Sequence, residues 1–326
     1  MTDLVVRTPD DRFANLPAFP YEARYVEIED REVGPLRMSY VDEGPRDAEP
    51  VLLAHGQPTW SFLYRKMIPT LVERGLRAIA VDNVGYGRSD KITDPFCYSI
   101  ELQAERMARF VEALDLRRTT LFCQDWGGPI GFGAVHAHPD RFARIVAGNT
   151  ILQTFDAALK DVLSWPQYPI DGGERVVLQT AQVEWARMLY LHREVRPSDS
   201  VAGISVAGLT PEEIAAYDAP FPEEIYRAGL RQTNMFIPLT PNDPTIITSK
   251  RFWETLDKWD RPFLTVWGAG DVATAGWEQV FQERVPGAKG QPHTILDDCN
   301  HFMQEDQGPA IATTIADFVD ANPSRP

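Results

Sequence analysis

The sequence predicts an α/β protein in which a mostly parallel sheet is covered by helices on both faces. Two observations predict this fold class. Short apolar runs recur along the chain with helix-like segments between them, and the alternation lapses from about residue 154 to residue 238, where Leu, Ala and Glu are frequent. We therefore expect a core at residues 1–153 and 239–326, with an inserted helical cap at 154–238 and a ligand cleft between the two.

Each element follows from its local pattern. The predicted strands are short runs rich in β-branched and aliphatic residues, at 36–41, 51–55, 77–82, 119–125, 144–148, 263–268 and 293–296. Helical spacing and good helix formers predict helices at 61–75, 99–116 and 276–285, and another helix begins at the glycines that follow Trp126. In the cap, Thr210 before Pro211 predicts a helix start with a threonine N-cap.

Composition and charge exclude several classes of function. The 326 residues are 44% hydrophobic, which indicates a folded globule, and the net charge of −15 disfavours binding to nucleic acid. The chain shows neither a signal peptide nor a run of about 18 apolar residues, so we expect a cytoplasmic protein without a membrane partner. Cys97, Cys123 and Cys299 lack metal-ligand spacing, and we expect reduced thiols, no metal and no cofactor.

An acidic residue occupies the end of the most strand-like run, in the segment "TTLFCQDWGG" at 119–128. Small residues flanking Asp125 two places away give the outline of a nucleophile elbow, in which serine is the usual nucleophile. A carboxylate with a reference pKa of about 3.9 is charged at neutral pH and can displace a leaving group from saturated carbon. The alternative is that Asp125 only caps the helix that follows it.

Other strand ends carry residues that suit such chemistry. The motif "HGQP" at 55–58 could supply a donor to an oxyanion, while "VWGAGD" places Asp271 and "LDDCNHF" places His301 after later strands. In an open parallel sheet these strand ends meet at one edge. The order of nucleophile, acid and histidine is that of the α/β-hydrolase fold.

These motifs resemble those of the haloalkane dehalogenases, a branch of the α/β-hydrolase fold. The resemblance spans nearly the whole chain and includes "HGQPTWSFLYRKMIP", "QDWGG", "YDAPFPEEIYRAG", "GQPH" and "NHFMQED". The short HG-x-P motif is shared with epoxide hydrolases, whereas the long stretch that contains it is more specific. The resemblance implies hydrolysis of haloalkanes to an alcohol, a halide ion and a proton, with water and without a cofactor.

The resemblance also implies roles for individual residues. Asp125 would attack the carbon that bears the halogen, and indole N–H groups of Trp126 and Trp185 would bind the departing halide, since indole donates and has no acceptor. Trp185 could instead be a packing residue of an amphipathic helix. Backbone N–H groups of Gln57 and Trp126 would form the oxyanion hole. The Gln57 side chain occupies a halide-contacting position where the family usually has Asn or Glu.

His301 would activate water to hydrolyse the alkyl-enzyme ester, and Asp271 would orient the imidazole. In one branch of the family the acid follows the penultimate core strand, as Asp271 does here. At the other possible position the chain has Asn149, whose amide cannot supply a charge. We therefore expect the triad Asp125, His301 and Asp271.

Two other functions are open at this point. An epoxide hydrolase shares the triad but needs two cap tyrosines that donate to the epoxide oxygen, and Tyr190, Tyr217 and Tyr226 are the cap tyrosines available. A non-catalytic α/β-hydrolase relative that binds a ligand is the other alternative, although such proteins usually lose part of the triad. The expected partners are a small apolar halogenated substrate, water and a halide ion, and the oligomeric state is unknown.

Overall fold

The computed structural model describes residues 4–154, 167–169, 175–177, 191–238 and 241–324. The strands in these ranges are β1 (Val5–Val6), β2 (Arg24–Asp30), β3 (Gly34–Glu43), β4 (Pro50–Ala54), β5 (Arg77–Val81), β6 (Lys91–Ile92), β7 (Thr119–Asp125), β8 (Phe142–Thr150), β9 (Gln167–Pro169), β10 (Arg175–Val177), β11 (Phe263–Gly268) and β12 (Thr294–Leu296). The α-helices are α1 (Ile68–Glu73), α2 (Ile100–Ala113), α3 (Gly127–Ala137), α4 (Pro197–Ile204), α5 (Pro211–Asp218), α6 (Ala228–Thr233), α7 (Pro244–Leu256), α8 (Trp277–Arg284) and α9 (Met303–Ala321).

Short 3-10 helices join these elements. They lie at Asp10–Phe13, Ser61–Tyr64, Pro95–Cys97, Pro139–Arg141, Glu224–Tyr226, Asn234–Phe236 and Pro286–Ala288. The first predicted helix, at 61–75, is therefore a 3-10 turn followed by the short helix α1. Pro69, at the second position of α1, suits the first turn because the missing N–H of proline would have no partner there.

The central sheet has eight strands in the order β12-β11-β8-β7-β4-β5-β3-β2. Its pairs from β12 to β5 are parallel, and only β2 and β3 add antiparallel pairs at one side. The mostly parallel α/β fold predicted from the sequence is confirmed. Because β4 and β7 pair with Ala54 opposite Cys123, the loop after β4 emerges beside the end of β7.

Burial on both faces of the sheet explains the apolar strand runs. Every residue of β4 and β11 is buried, and two clusters of buried hydrophobic side chains lie against the sheet. A strand covered on both sides loses the alternation of polar and apolar residues, so its sequence is a continuous apolar run. The edge strand β2 keeps four exposed residues, and its polar character explains why the apolar pattern did not predict it.

The predicted cap contains helices α4, α5 and α6 in the residues that the structure describes. The start of α5 is confirmed, because the Thr210 hydroxyl accepts a hydrogen bond from the Glu213 N–H and the Glu213 carboxylate accepts one from the Thr210 N–H. The described residues of the predicted helical cap also include β9 and β10, which pair as antiparallel strands. The overlooked sequence signal is "YPIDGGERVV", in which an Asp-Gly dipeptide, a sequence typical of hairpins, stands between β-forming residues. The domain boundaries themselves stay a prediction.

In the described residues, four side chains of the predicted core donate hydrogen bonds of 3.1 Å or less to backbone carbonyls of the predicted cap. The four bonds are Thr8 to Pro220 at 2.7 Å, Gln57 to Leu230 at 2.8 Å, Trp60 to Ala216 at 3.1 Å and Asn300 to Ile204 at 2.8 Å. They are distributed over the N-terminal segment, the loop after β4 and the loop before α9. The predicted cap is thus held at several points around its contact with the core.

A search of the described helices for a membrane span finds none that is sufficiently long and apolar.

Candidate active site

Asp125 lies at the sharp turn between β7 and α3. Its φ of 53° is in the left-handed region, which non-glycine residues adopt only when the surrounding structure enforces it. A Cβ atom at Gly127 would lie 2.1 Å from the carbonyl oxygen of Ala54, so the turn requires glycine there. The Thr150 hydroxyl donates a 2.6 Å hydrogen bond to the Asp125 carbonyl and supports the strained residue from β8.

The alternative that Asp125 merely caps α3 is wrong. The N-cap of α3 is Trp126, and no side chain makes a capping hydrogen bond there. The Asp125 carboxylate instead accepts a 2.6 Å hydrogen bond at Oδ1 from the backbone N–H of Gln57. The carboxylate is therefore bound by the loop after β4.

The loop after β4 approaches Asp125 closely because residue 56 is glycine. A Cβ atom at Gly56 would lie 2.1 Å from Asp125 Oδ1 and 2.6 Å from the Trp126 nitrogen. His55 fixes the path of this loop, since its Nε2 accepts a 3.0 Å hydrogen bond from the Asn83 N–H and its Nδ1 lies 2.8 Å from the Gly56 carbonyl oxygen. Burial lowers the pKa of His55, which fits a neutral histidine with a structural role.

His301 lies between two carboxylates. Its Nε2 is 3.2 Å from Asp125 Oδ2, and its Nδ1 is 3.2 Å from each carboxylate oxygen of Asp271. The Asp271 side chain is 1% exposed, whereas that of Asp125 is 18% exposed. Of these two carboxylates, Asp125 is therefore the one that a small molecule from solvent can reach.

The charges at this site shift the pKa values of His301 and Asp271 in opposite directions. Burial alone would lower the pKa of His301, but the Asp271 charge and the hydrogen bond to Asp125 raise it to about 10. Burial alone would raise the pKa of Asp271, but the His301 charge and hydrogen bonds, including one from the Thr274 hydroxyl, hold it below its usual value. The imidazole is consequently a cation beside Asp125 at neutral pH.

Two amide side chains hold the backbone of the His301 loop. Asn149 donates to the carbonyl oxygens of Asn300 at 2.8 Å and His301 at 3.1 Å, and it accepts a 2.8 Å bond from the Gly268 N–H. Gln124 donates to the His301 carbonyl oxygen at 3.0 Å. In the sequence, Asn149 stands out only as the position where an acid of the triad is absent. Its position at the end of β8 indicated proximity to the site, but no motif indicated that it binds this loop.

The predicted halide ligands Gln57 and Trp126 make different contacts. The Gln57 side-chain amide donates to the Leu230 carbonyl oxygen at 2.8 Å, and its oxygen accepts a hydrogen bond from the Tyr86 hydroxyl. The buried Trp126 ring packs edge-on against Phe236, with 5.8 Å between ring centroids. Trp185 lies outside the described residues, and its role stays a prediction.

The described cap tyrosines do not form a pair of donors for an epoxide oxygen. Tyr217 is fully buried, and its hydroxyl donates to the Glu305 carboxylate. Tyr226 lies in the short 3-10 helix after Glu223 and is only partly buried, while Tyr190 falls outside the described residues. The hydroxyl of Tyr217 is therefore committed to a structural contact.

Comparisons with known proteins agree on one family. Residues 49–307 match a family model described as the alpha/beta hydrolase fold. The chain is 42% identical to a haloalkane dehalogenase of Psychrobacter cryohalolentis, over 98% of this chain and 99% of the relative. It is 39% identical to one of Mycobacterium marinum, over 95% and 98% of the two chains. The solved structure of a tetrameric haloalkane dehalogenase from Paraglaciecola agarilytica aligns with a TM-score of 0.79 and 32% identity, over 95% and 96%.

Proposed function

The chain belongs to the haloalkane dehalogenases within the α/β-hydrolase fold, and from this membership we propose how its own residues cleave the carbon–halogen bond. It is a hydrolase that converts a haloalkane and water to an alcohol, a halide ion and a proton. One observation supports the residue assignment above all: Asp125 Oδ1 lies 2.6 Å from the Gln57 nitrogen, while Oδ2 lies 3.2 Å from His301 Nε2.

In the first step, Asp125 is the nucleophile. The Gln57 N–H holds Oδ1, so Oδ2 is the oxygen that attacks the carbon bearing the halogen. The new carbon–oxygen bond forms as the carbon–halogen bond breaks, and the bonding electron pair leaves with the halide. The Trp126 indole N–H and a second donor from the cap, predicted to be Trp185, stabilise that halide as its charge develops. The product of this step is an alkyl ester of Asp125.

In the second step, His301 is the general base. Its Nε2 takes a proton from water as the water oxygen attacks the ester carbonyl carbon of Asp125. Negative charge develops on Oδ1, which accepts the hydrogen bond of the Gln57 N–H, and the Trp126 N–H is the second predicted donor. The bond between the carboxyl carbon and the alkoxy oxygen then breaks, and the remaining proton of the attacking water passes to that oxygen, which releases the alcohol and regenerates the carboxylate. Asp271 orients the imidazole and stabilises its charged form throughout.

The proposed role of Gln57 differs from that of Trp126 and Trp185. The Gln57 side-chain N–H donates to the Leu230 carbonyl oxygen, so it can contact the halide directly only if this hydrogen bond is broken. We therefore assign halide binding to the two indole groups, and we assign to the Gln57 backbone N–H the role of oxyanion donor. The cytoplasmic location and the absence of a cofactor stay predictions from the sequence.

The first experiment measures halide release and acid production from 1-bromobutane, 1,2-dibromoethane and 1-iodohexane, with styrene oxide as the epoxide control. We expect halide release that disappears in Asp125→Asn, because a neutral amide cannot displace a halide. Diol formation from styrene oxide without halide release would support an epoxide hydrolase instead. Appreciable activity in a freshly prepared Asp125→Asn sample would contradict the nucleophile assignment.

A second variant tests the base. His301→Phe keeps the nucleophile but removes the proton acceptor, so we expect release of one halide per enzyme and accumulation of the ester on Asp125. Intact mass spectrometry of the quenched enzyme detects the added alkyl group, and peptide mapping locates it. Steady turnover in this variant would overturn the role of His301.

A further inference from the structure

The side chain of Gln57 links the oxyanion donor of the proposed site to the cap. We propose that Tyr86 and Thr233 are positioning residues that hold Gln57 so that its backbone N–H is directed at Asp125 Oδ1 during ester hydrolysis. This inference rests on the proposed function, because it assigns to the two hydroxyl groups one step of the dehalogenation reaction. Neither residue touches the Asp125 carboxylate in the contacts that the structure gives for them.

Gln57 is fixed at both ends. Its backbone N–H donates to Asp125 Oδ1 at 2.6 Å, and its side-chain N–H donates to the Leu230 carbonyl oxygen in α6 at 2.8 Å. The side-chain oxygen accepts a hydrogen bond from Tyr86. Gln57 is only 2% exposed, so water does not replace these partners easily. The orientation of its peptide group is consequently coupled to the position of α6.

Tyr86 is the second connection between this loop and α6. Its hydroxyl oxygen lies 2.8 Å from the Thr233 hydroxyl oxygen and 3.5 Å from the Gly229 carbonyl oxygen. Because the single Tyr86 proton is donated to Gln57, the Thr233 hydroxyl is the donor between these two oxygens, and the Gly229 carbonyl oxygen, 2.9 Å from the Thr233 hydroxyl, is its second acceptor. Burial raises the pKa of Tyr86, so its hydroxyl stays protonated and remains a donor to Gln57.

Glutamine fits these partners better than the two residues that are usual at this position in the family. A glutamate would place a carboxylate oxygen opposite the Leu230 carbonyl oxygen, where two acceptors would repel each other. An asparagine is one methylene shorter and could not span the same distance between Tyr86 and Leu230 from an unchanged backbone. The network is therefore specific to Gln57 and to the cap that surrounds it.

The two chemical steps depend differently on the Gln57 N–H. During alkylation the Asp125 carboxylate loses its negative charge, so a donor at Oδ1 gives no advantage in that transition state. During hydrolysis negative charge grows on Oδ1, and the same donor stabilises the transition state. A loss of alignment at Gln57 should consequently slow hydrolysis while leaving alkylation nearly unchanged. A merely structural role would not separate the two steps in this way.

The test variant is Tyr86→Phe, which removes only the hydroxyl. We expect the rate of ester hydrolysis in a single turnover to fall by about tenfold, less than the 100-fold or more that follows complete loss of an oxyanion donor. The rate of the first halide release should stay within about threefold of the parent, because a donor at Oδ1 does not assist that step. The fraction of enzyme carrying the alkyl ester, measured by intact mass during turnover of 1-bromobutane, should rise accordingly.

Tyr98→Phe is the matched control. Tyr98 is also buried, and its hydroxyl exchanges hydrogen bonds with the backbone of Ile92, at 2.8 Å to the nitrogen and 3.0 Å to the oxygen. A Cβ atom at Gly229 would lie 2.7 Å from its ring, so Tyr98 packs against the same helix α6, while its hydroxyl is bonded to Ile92 and not to Gln57. We expect this variant to lose stability as Tyr86→Phe does, but to keep the parent ratio of the two step rates.

Thr233→Val provides an independent test from the cap side, since it removes the hydroxyl and keeps the shape. It should shift the same ratio in the same direction, and it replaces Tyr86→Phe should that variant fail to fold. Unchanged ester hydrolysis in a folded Tyr86→Phe or Thr233→Val enzyme would overturn the inference while leaving the proposed function intact. A parent enzyme that releases no halide and forms no ester would instead overturn both.

Discussion

At the scale of single residues, the position of His301 between Asp125 and Asp271 determines when protons move. In the free enzyme the Asp271 charge and the hydrogen bond to Asp125 raise the pKa of His301 to about 10. Ester formation removes the charge of Asp125 and makes its Oδ2 a weaker acceptor for the hydrogen on His301 Nε2. The pKa of His301 must therefore fall in the alkyl-enzyme, which is the state in which it acts as a base.

Because the pKa of His301 falls in the alkyl-enzyme, we predict that the proton of the overall reaction is released upon alkylation. Below about pH 10 the free enzyme carries an imidazolium, and alkylation expels its proton to solvent before water is activated. His301 then regains a proton from the attacking water, so one proton is released per turnover. Stopped-flow measurement in weak buffer with a pH indicator should show a proton burst that coincides with the halide burst. Proton release only upon formation of the alcohol would contradict the sequence of steps.

The residues that could be predicted were those whose chemistry is expressed in a motif. Asp125, Asp271 and His301 follow strands in the order typical of the fold, and the structure brings them together. The contacts of the Gln57 side chain could not be predicted, since they depend on Leu230 in α6, more than 170 positions away in the chain. Donors and acceptors that meet through such packing leave no local sequence pattern.

At the scale of elements, the nucleophile depends on the close approach of β4, β7 and α3. Glycines at 56, 127 and 128 occupy places where an added Cβ atom would lie less than 3 Å from atoms of a neighbouring segment. At residue 128 the closest atom belongs to Thr150, the same hydroxyl that supports Asp125. The turn is therefore built from close backbone contacts as well as from its acidic residue.

Gly56→Ala should inactivate the enzyme with little effect on its overall fold. The added methyl group would lie 2.1 Å from Asp125 Oδ1, so the carboxylate must move by an ångström or more. We expect a loss of about 100-fold in kcat/KM, the usual consequence of such a displacement at a reacting group. The measurement is steady-state halide release, with circular dichroism to verify folding.

Gly203→Ala is the matched control for that substitution. Gly203 lies in α4, and an added Cβ atom would meet nothing within 4 Å. We expect unchanged kcat/KM and an increase of up to about 1 kcal/mol in the free energy of unfolding, because alanine loses less backbone entropy in a helix. Equal activities in the two alanine variants would show that Gly56 does not constrain the nucleophile.

The elements that could be predicted were the ones with a clear hydrophobic period. Buried strands such as β7 and β11 and the amphipathic helix α2 lie where the sequence predicted them. The paired strands β9 and β10 have three residues each, which is too short for a period to be recognised, and the Asp-Gly dipeptide in the sequence between them is the signal that remains. Tertiary burial, which decides the conformation of short segments, cannot be inferred from such a segment alone.

At the scale of the whole molecule, a buried ionic cluster joins the predicted cap to the helix that follows His301. Arg65 donates to the Glu305 carboxylate of α9 and, at 2.6 Å, to Glu213 of α5. Lys66 lies 2.9 Å from Glu305, and Tyr217 donates to the same carboxylate. The side chains of Arg65 and Glu305 are 0% exposed, so each charge depends on its partners.

Arg65→Met should destabilise the protein strongly. It leaves Glu305 buried with Lys66 as its remaining cationic partner, and we expect the free energy of unfolding to fall by about 3 kcal/mol. Urea denaturation of the two proteins measures this difference. As the control, Arg74→Met removes an exposed arginine that pairs with Asp317 and Asp320, and it should leave stability nearly unchanged. Similar losses in both variants would contradict the importance of burial.

The contacts that hold the predicted cap bear on how this enzyme can diversify. Four core side chains bind carbonyl oxygens of Ile204, Ala216, Pro220 and Leu230, and a carbonyl oxygen is present whatever side chain the residue carries. Substitutions at these positions can therefore accumulate without loss of the bonds that attach the cap. Changes in the amino acids of the predicted cap are in this way separated from selection on these hydrogen bonds. The sequence of the predicted cap can therefore diverge while the group of Asp125, His301 and Asp271 stays unchanged.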